Sequence, residues 1–172
     1  TLFSTNAEVT GWNMEKFMRL MKNGGSETQR EFPTVRWGKQ RSEWSKEIAD
    51  VITFCKDCRI RITANDTKAW SYVNGDQGII TDLTPNLLRV KLDRTEKEVE
   101  LRRTRRFNDI ERDKVSDHVK AEEQVLWREI ISDDGTILEI PYVGSVNYLP
   151  AKYGWASTVH SVQGLSLESL QI

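Results

Sequence analysis

The middle of the sequence alternates apolar and polar residues in short runs that are separated by turn-forming residues. These runs are 59–63, 78–82, 87–92 and 98–101. Alternation with a period of two is typical of strands that bury one face. Residues 74–76 (Asn-Gly-Asp) and 85–86 (Pro-Asn) lie between runs, and residues of these types favour tight turns. Strands this short and this close together predict a small antiparallel β-barrel.

The two ends of the chain carry a different pattern. Residues 2–5 predict a short strand, residues 4–6 predict a helix cap, and residues 7–21 repeat apolar side chains at helical spacing. Near the other end, residues 151–159 predict a second helix. An α/β pattern on both sides of a β pattern predicts an α/β domain into which a barrel is inserted.

Two connecting stretches are less regular. Residues 27–50 are polar and predict a loop with a short helix at 42–48. Residues 102–123 are highly charged, and we expect them to be mostly solvated. Beyond them, two short apolar runs on either side of the turn residues 133–135 predict a hairpin.

The composition excludes several classes of protein. The chain has 172 residues, 30% of them charged, and a formal net charge of -1. This balance argues against a uniformly basic nucleic-acid coat, but it allows a local basic patch, since charges act over about 8–10 Å in salt. No run approaches the roughly 20 apolar residues that a membrane span needs, and no signal peptide opens the chain. We therefore expect a protein without a membrane segment.

The two cysteines stand close together in the sequence as Cys55 and Cys58. One C-x2-C pair supplies half of a tetrahedral zinc site, and His118 and His160 are far apart in the sequence. The sequence therefore predicts two reduced cysteines that flank a turn, no bound metal, and a reducing, intracellular compartment.

Residues 155–168 carry the most specific motif, Trp-Ala-Ser-Thr-Val-His-Ser-Val-Gln-Gly-Leu-Ser-Leu-Glu. Side chains such as Thr158 and His160 at the end of a helix can donate hydrogen bonds to backbone phosphates, which positions a strand without reading its bases. Gly164 permits a sharp turn. The pattern resembles the fifth motif of superfamily-one helicases, particularly their RecD-like, 5′-to-3′ branch. A capped amphipathic helix with a surface histidine is the alternative.

Two other segments resemble the same family, in the same order along the chain. Residues 2–6, followed by Asn13, resemble the strand, turn and helix that open the second motor domain. Residues 61–65 and 73–80 resemble the entry to its inserted Src-homology-like barrel. The resemblance therefore spans nearly the whole chain.

The resemblance implies a fold and a parent protein. The fold would be a partial RecA-like second motor domain at 1–57 and 149–172, with the SH3-like barrel and a charged linker at 58–148. The parent would be an ATP-dependent DNA helicase that binds ATP and Mg²⁺ between this domain and a first motor domain that this chain lacks. Single-stranded DNA is the expected partner, with RNA as an alternative.

Candidate site residues follow from the resemblance. The contacts to nucleic acid would include Asn6, Thr158, His160 and Ser161. The residues that face the nucleotide would be Gln163, Gly164 and Ser166. The Gly-Leu-Ser sequence at 164–166 also differs from the Gly-Leu-Glu of the opposite-polarity branch, which favours 5′-to-3′ movement.

Two further features suit single strands on their own chemistry. Trp70 stands beside a turn and is the best candidate to stack on unpaired bases, whereas Trp12 lies on the apolar stripe of the predicted helix. The arginines of residues 102–106 form the densest basic cluster. They could bind phosphates, or they could be a solvated charge run that protects a sheet edge.

Several helicase parts are missing. Gly38-Lys39 is followed by Gln40, and Pro33 lies five residues before Gly38, so no phosphate loop can form. Thr1 is no initiator methionine, and the sixth motif would lie beyond Ile172. We therefore expect an excised piece that has no catalytic residues, binds no cofactor and does not hydrolyse ATP alone. The alternatives are a non-catalytic single-strand-binding module and a protein-interaction barrel.

Overall fold

A computed structural model of the chain describes residues 1–158 and has a mixed α/β fold, as the sequence predicts. The helices are α1 (Asn6–Lys22), α2 (Ser42–Glu47) and α3 (Val115–Lys120), with short 3₁₀ turns at Gly25–Thr28 and Arg112–Lys114. The strands are β1 (Leu2–Phe3), β2 (Arg30–Pro33), β3 (Val35–Gly38), β4 (Val51–Phe54), β5 (Arg59–Ile62), β6 (Gln77–Leu83), β7 (Leu87–Leu92), β8 (Glu98–Arg102), β9 (Thr104–Asp109), β10 (Leu126–Ile131), β11 (Ile137–Tyr148), β12 (Ala151–Tyr153) and β13 (Ser157–Thr158).

The first of two compact units contains residues 1–32, 52–103 and 149–158. Its main sheet is antiparallel, with the strand order β12-β5-β6-β7-β8. The alternating apolar residues of the sequence lie in this sheet, where the apolar side chains of β5 to β8 point into one core. The largest fully buried members of that core are Phe32, Phe54, Ile60, Ile62, Ile80, Leu88, Val90, Leu92 and Leu101.

The second unit contains residues 33–51 and 104–148. Its central strand is the long β11, with which β3, β9 and β10 all pair. A smaller apolar cluster of Trp44, Ile48, Val146 and Tyr148 holds α2 against this sheet. The strands between residues 58 and 148 thus belong to two sheets, and the domain boundaries at 57 and 148 stay a prediction.

Several predicted elements are confirmed. Helix α1 begins and ends within one residue of the predicted helix at 7–21, and α2 falls within the predicted 42–48. The predicted hairpin around 133–135 is formed by β10 and β11.

Two predictions of local structure were wrong. Residues 27–50 contain β2 and β3 rather than only a loop and a helix. Residues 151–158 form β12 and β13 instead of the predicted helix. Here Gly154 lies against β5, and a Cβ on it would meet the Ile60 carbonyl carbon at 2.5 Å, so backbone packing decides the conformation.

Candidate nucleic-acid interface

The turn between β1 and α1 is fixed by a reciprocal cap. Thr5 Oγ1 accepts a hydrogen bond from the Glu8 amide at 3.3 Å, and the Glu8 carboxylate accepts one from the Thr5 amide at 3.1 Å. The Thr5 hydroxyl also donates to this carboxylate at 2.7 Å, and these bonds hold the pKa of Glu8 below its ordinary value. Asn6, the first residue of α1, is exposed beside this cap. Its side chain is therefore open to a ligand at a rigid turn.

Asn13 fixes α1 to the segment that leads into β13. Its Nδ2 donates to the Ala156 carbonyl at 3.1 Å and to the Tyr153 carbonyl at 3.4 Å, while its Oδ1 accepts from the Ala156 amide at 2.8 Å. Asn13 is buried, with 6% of its surface exposed. Its amide therefore satisfies backbone groups of residues 153–156 inside the unit.

Thr158 lies in β13, which runs parallel to β1. Phe3 is its register partner, and the Ser157 amide also donates to the Thr1 carbonyl at 3.1 Å. Thr158 is thus a strand residue, which corrects the prediction of a helix end. Because β1 and β13 are parallel, their carboxyl ends meet at the same edge. Thr158 therefore lies at the edge where β1 ends. Asn6 follows Phe3, the last residue of β1, by three positions.

The other residues predicted for this motif cannot be placed. His160, Ser161, Gln163, Gly164 and Ser166 lie outside the described residues. Their proposed roles rest on the sequence alone.

Trp70 is presented to solvent by a loop that one carboxylate organises. The Asp66 carboxylate accepts hydrogen bonds from the amides of Lys68 at 3.0 Å, Ala69 at 3.2 Å and Ser71 at 3.1 Å. The Ser71 hydroxyl donates to it at 2.7 Å, and these bonds hold the pKa of Asp66 far below its ordinary value. Trp70 has a φ of 54° and is 70% exposed. An ordered loop that exposes an indole suits stacking on an unpaired base.

A pair of cationic side chains stands at the start of this loop. Lys152 in β12 lies directly opposite Arg61 in β5, and on an antiparallel pair such residues share one face of the sheet. The Trp70 loop leaves β5 just after Arg61, and the Thr63 amide donates to the Pro150 carbonyl at 2.9 Å, which ties the loop to the approach to β12. The sequence does not indicate this pair, because residues 151–159 have the pattern of a helix.

The arginines of residues 102–106 are divided between the two units. Arg102 ends β8 in one unit and pairs with Glu100 at 2.7 Å. Arg106 lies in β9 of the other unit, pairs with Glu47 at 2.6 Å and packs over the Tyr148 ring. These partners favour structural ion pairs over a phosphate site.

Cys55 and Cys58 flank a turn in the first unit, and both are free and fully buried. Their Sγ atoms lie 3.3 Å apart. Burial raises the pKa of both thiols, so the neutral form predominates at neutral pH. Within residues 1–158, no three side chains of the metal-binding types cluster.

Comparison with known proteins gives a fold. No family model matches the sequence, and no curated protein matches it. Solved structures do match over almost the entire chain. The fold resembles that of a part of the Pif1 helicases.

Three such structures illustrate the likeness. Unliganded Pif1 from a Bacteroides species matches 97% of this chain with 21% identity and a TM-score of 0.67. The Bacteroides Pif1 bound to single-stranded DNA matches 96% with 21% identity and a TM-score of 0.63. Pif1 from Candida albicans matches 96% with 15% identity and a TM-score of 0.59. This chain spans 43%, 32% and 37% of those chains, respectively.

Residues 1–158 contain no helix that is both long and apolar enough to cross a membrane.

Proposed function

We propose that this chain is the part of an ATP-dependent DNA helicase that grips single-stranded nucleic acid. It would comprise the second RecA-like motor domain, of the RecD-like branch, and its inserted SH3-like barrel. The observation that carries the proposal is the likeness of 96–97% of the chain to Pif1 helicases. The three sequence motifs occur in the order that the family requires, which supports it independently.

The ligands of the related structures support the choice of partners. One Bacteroides Pif1 structure holds single-stranded DNA, and another holds ADP-AlF4. In the parent of this chain, ATP and Mg²⁺ would bind between this part and a first motor domain. Gln163, Gly164 and Ser166 would face that nucleotide.

The grip would have two parts. At the edge formed by β1 and β13, Asn6 and Thr158, together with His160 and Ser161, would donate hydrogen bonds to phosphates. On the five-stranded sheet, Trp70 would stack on a base while Arg61 and Lys152 attract the backbone. ATP-driven opening and closing of the cleft in the parent would move the strand between grips.

The second candidate function is a single-strand-binding module without a motor role. The exposed Trp70 and the Arg61–Lys152 pair belong to one unit, which favours this function because stacking plus backbone charge is sufficient for such binding. The sequence of the parent separates the two functions: a phosphate loop upstream and an arginine motif downstream belong only to the motor.

Strand binding tests both candidates. Fluorescence anisotropy with labelled single-stranded and duplex oligonucleotides should show preference for the single strand. Trp70→Ala should weaken single-strand binding by about 1–3 kcal/mol, or about 5- to 150-fold, through lost stacking. Trp127→Ala is the matched control, since Trp127 is also exposed, at 46%, but lies in β10 of the other unit.

The charged pair gives a separate readout. Lys152→Ala should lower the slope of log affinity against log salt by about 0.7 per lost phosphate contact to a single strand. Equal binding of duplex and single strand, or unchanged affinity in both Trp70→Ala and Lys152→Ala, would contradict the proposed grip.

A further inference from the structure

The hairpin of β10 and β11 exposes apolar side chains on a two-stranded ribbon. Ile131 is 77% exposed, Ile137 62% and Trp127 46%. The register places Ile131 opposite Ile137 and Glu129 opposite Glu139, so these residues share one face with Trp127. We propose that this face and the adjoining edge of β10 dock an extended segment of a partner protein in which a basic residue lies between two apolar ones.

The charges of the hairpin select the class of partner. Between residues 126 and 140 it carries the carboxylates of Glu129, Asp133, Asp134 and Glu139 against a single guanidinium. That guanidinium, Arg128, is held by Asp109 through bonds of 2.7 and 3.1 Å. The Ser132 hydroxyl and the Thr136 amide bind Asp134 and lower its pKa to about 2, so it remains charged. An acidic surface repels phosphates and attracts lysine or arginine.

Glu129 and Glu139 point to one position for the partner's cation. They lie directly opposite each other, and like charges so placed destabilise a strand pair. Within residues 1–158, no salt bridge engages either carboxylate. A lysine beside Glu129 on this face would relieve part of the repulsion. A second copy of this chain would instead add two more carboxylates, so the charge argues against self-pairing.

The open edge of β10 determines where the partner segment would pair with the hairpin. In the described part of the chain, β10 stands at the end of its sheet and pairs only with β11. Arg112 donates to the Glu139 carbonyl at 2.7 Å, and its guanidinium lies over the Trp127 ring of β10. It adds one cation to the hairpin, whose four carboxylates still outnumber the guanidiniums of Arg112 and Arg128, and it leaves the backbone edge of β10 open. An unpaired strand edge is a template for an added strand.

The alternation of a strand then gives the partner's sequence pattern. Side chains on one face recur every second residue. A strand added beside β10 would therefore place a cation level with Glu129 and apolar side chains level with Trp127 and Ile131. The pattern is apolar-x-basic-x-apolar.

Hydrogen–deuterium exchange on the full-length parent protein tests this proposal. The probe is a synthetic Val-Thr-Lys-Thr-Val peptide with blocked ends, and the comparison is the same peptide with Glu for Lys. The lysine peptide should slow the exchange of amides in residues 126–131, and the glutamate peptide should not. The double variant Glu129→Lys with Glu139→Lys should reverse this preference, with at least about a tenfold change in affinity for each peptide.

Controls separate docking from general charge and from folding. Glu98→Lys with Glu100→Lys changes two strand glutamates in the other unit and should leave both peptides unaffected. Binding of single-stranded DNA by the Glu129 and Glu139 variants should be unchanged, which makes this result independent of the proposed grip. Equal protection by both peptides, protection by an oligonucleotide instead, or full protection of 126–131 before any peptide is added would each overturn the proposal.

Discussion

The side-chain amide of Asn13 forms paired hydrogen bonds with the backbone of Ala156. Oδ1 accepts from the Ala156 amide at 2.8 Å, and Nδ2 donates to the Ala156 carbonyl at 3.1 Å. The side chain thus replaces a neighbouring strand at a residue that lies just before β13. Thr158, a proposed phosphate contact, follows Ala156 by two residues. By holding Ala156, Asn13 therefore positions Thr158 indirectly.

Replacing Asn13 should loosen this connection. Asn13→Ala leaves the Ala156 amide and carbonyl without partners in a buried place, and each unsatisfied group costs about 1–3 kcal/mol. Asn13→Asp should also destabilise, because a carboxylate oxygen would face the Ala156 carbonyl. Hydrogen exchange at the amides of 156–158 should accelerate in both variants. The exposed Asn86, changed to Ala, is the control, and slow exchange retained in Asn13→Ala would contradict the positioning role.

The sequence predicts the elements whose pattern is local. Strands β5 to β8 each bury alternate residues in one core, so their period identifies them within two residues. Strand β13 has only two residues, and its partner β1 lies at the other end of the chain. No local pattern can signal such a pairing. In β9, Phe107 is the only large apolar residue, so the alternation that marks a strand is missing.

In the candidate site, too, contacts between neighbours in sequence could be predicted, whereas contacts between distant residues could not. The cap at Thr5 was predictable, because a threonine three residues before a glutamate is a local signal. The Asp66 bonds that order the Trp70 loop span only five residues, and Asp-x4-Ser is a weak local signal for them. The pairing of Arg61 with Lys152 joins strands 91 positions apart in sequence, and only the tertiary fold reveals it.

Two glycines should respond to alanine in opposite directions. Gly144 lies opposite Gly38 in the β11–β3 pair, and a Cβ on Gly144 would meet the Lys39 carbonyl oxygen at 2.0 Å. Gly144→Ala must therefore displace backbone and should destabilise the second unit by about 3 kcal/mol. In α1, a Cβ on Gly11 would meet none of the described atoms within 4 Å, so Gly11→Ala should stabilise by about 0.5–1 kcal/mol. Urea unfolding of both variants checks the signs; stabilisation by Gly144→Ala would refute the close approach.

The pair of Asp76 and Arg94 should set an acid sensitivity. Arg94 donates twice to the Asp76 carboxylate, each time at 2.8 Å, and the Val73 amide donates at 3.0 Å. Asp76 is buried, and these bonds hold its pKa below the ordinary value. A lowered pKa means that the folded chain binds this proton less tightly than the unfolded chain does. The stability is present above the ordinary aspartate pKa, about 3.9, and is lost as the pH falls through the lowered value.

Arg94→Gln should move the acid-unfolding midpoint to higher pH, because the carboxylate loses the partner that lowers its pKa. Circular dichroism across an acid titration measures the midpoint. Arg102→Gln breaks an exposed pair with Glu100 and should shift it much less. If the two variants titrated alike, the Asp76 bonds would have no special part in acid stability.

Thr158 and His160 should hold phosphates and not bases. Replacing either with Ala in the full-length parent should therefore weaken single-strand binding about equally for all base sequences. Strand unwinding should suffer more than ATP binding, since neither residue is proposed to hold the nucleotide. The slope of log affinity against log salt should fall by about 0.7 if a full charge contact to the single strand is lost, and by less for a neutral donor.

The two variants should differ in their response to pH. A nearby phosphate favours the protonated imidazole, so the His160→Ala effect on the salt slope should grow as the pH falls towards about 6.5, whereas the Thr158→Ala effect should stay constant. His118→Ala is the matched histidine control, because His118 bonds to Glu123 in the second unit. Anisotropy titrations at several salt concentrations and two pH values measure both effects. If affinity and slope were unchanged in correctly folded variants, Thr158 would be only a strand residue beside Phe3, and the proposed grip at the β1–β13 edge would be wrong.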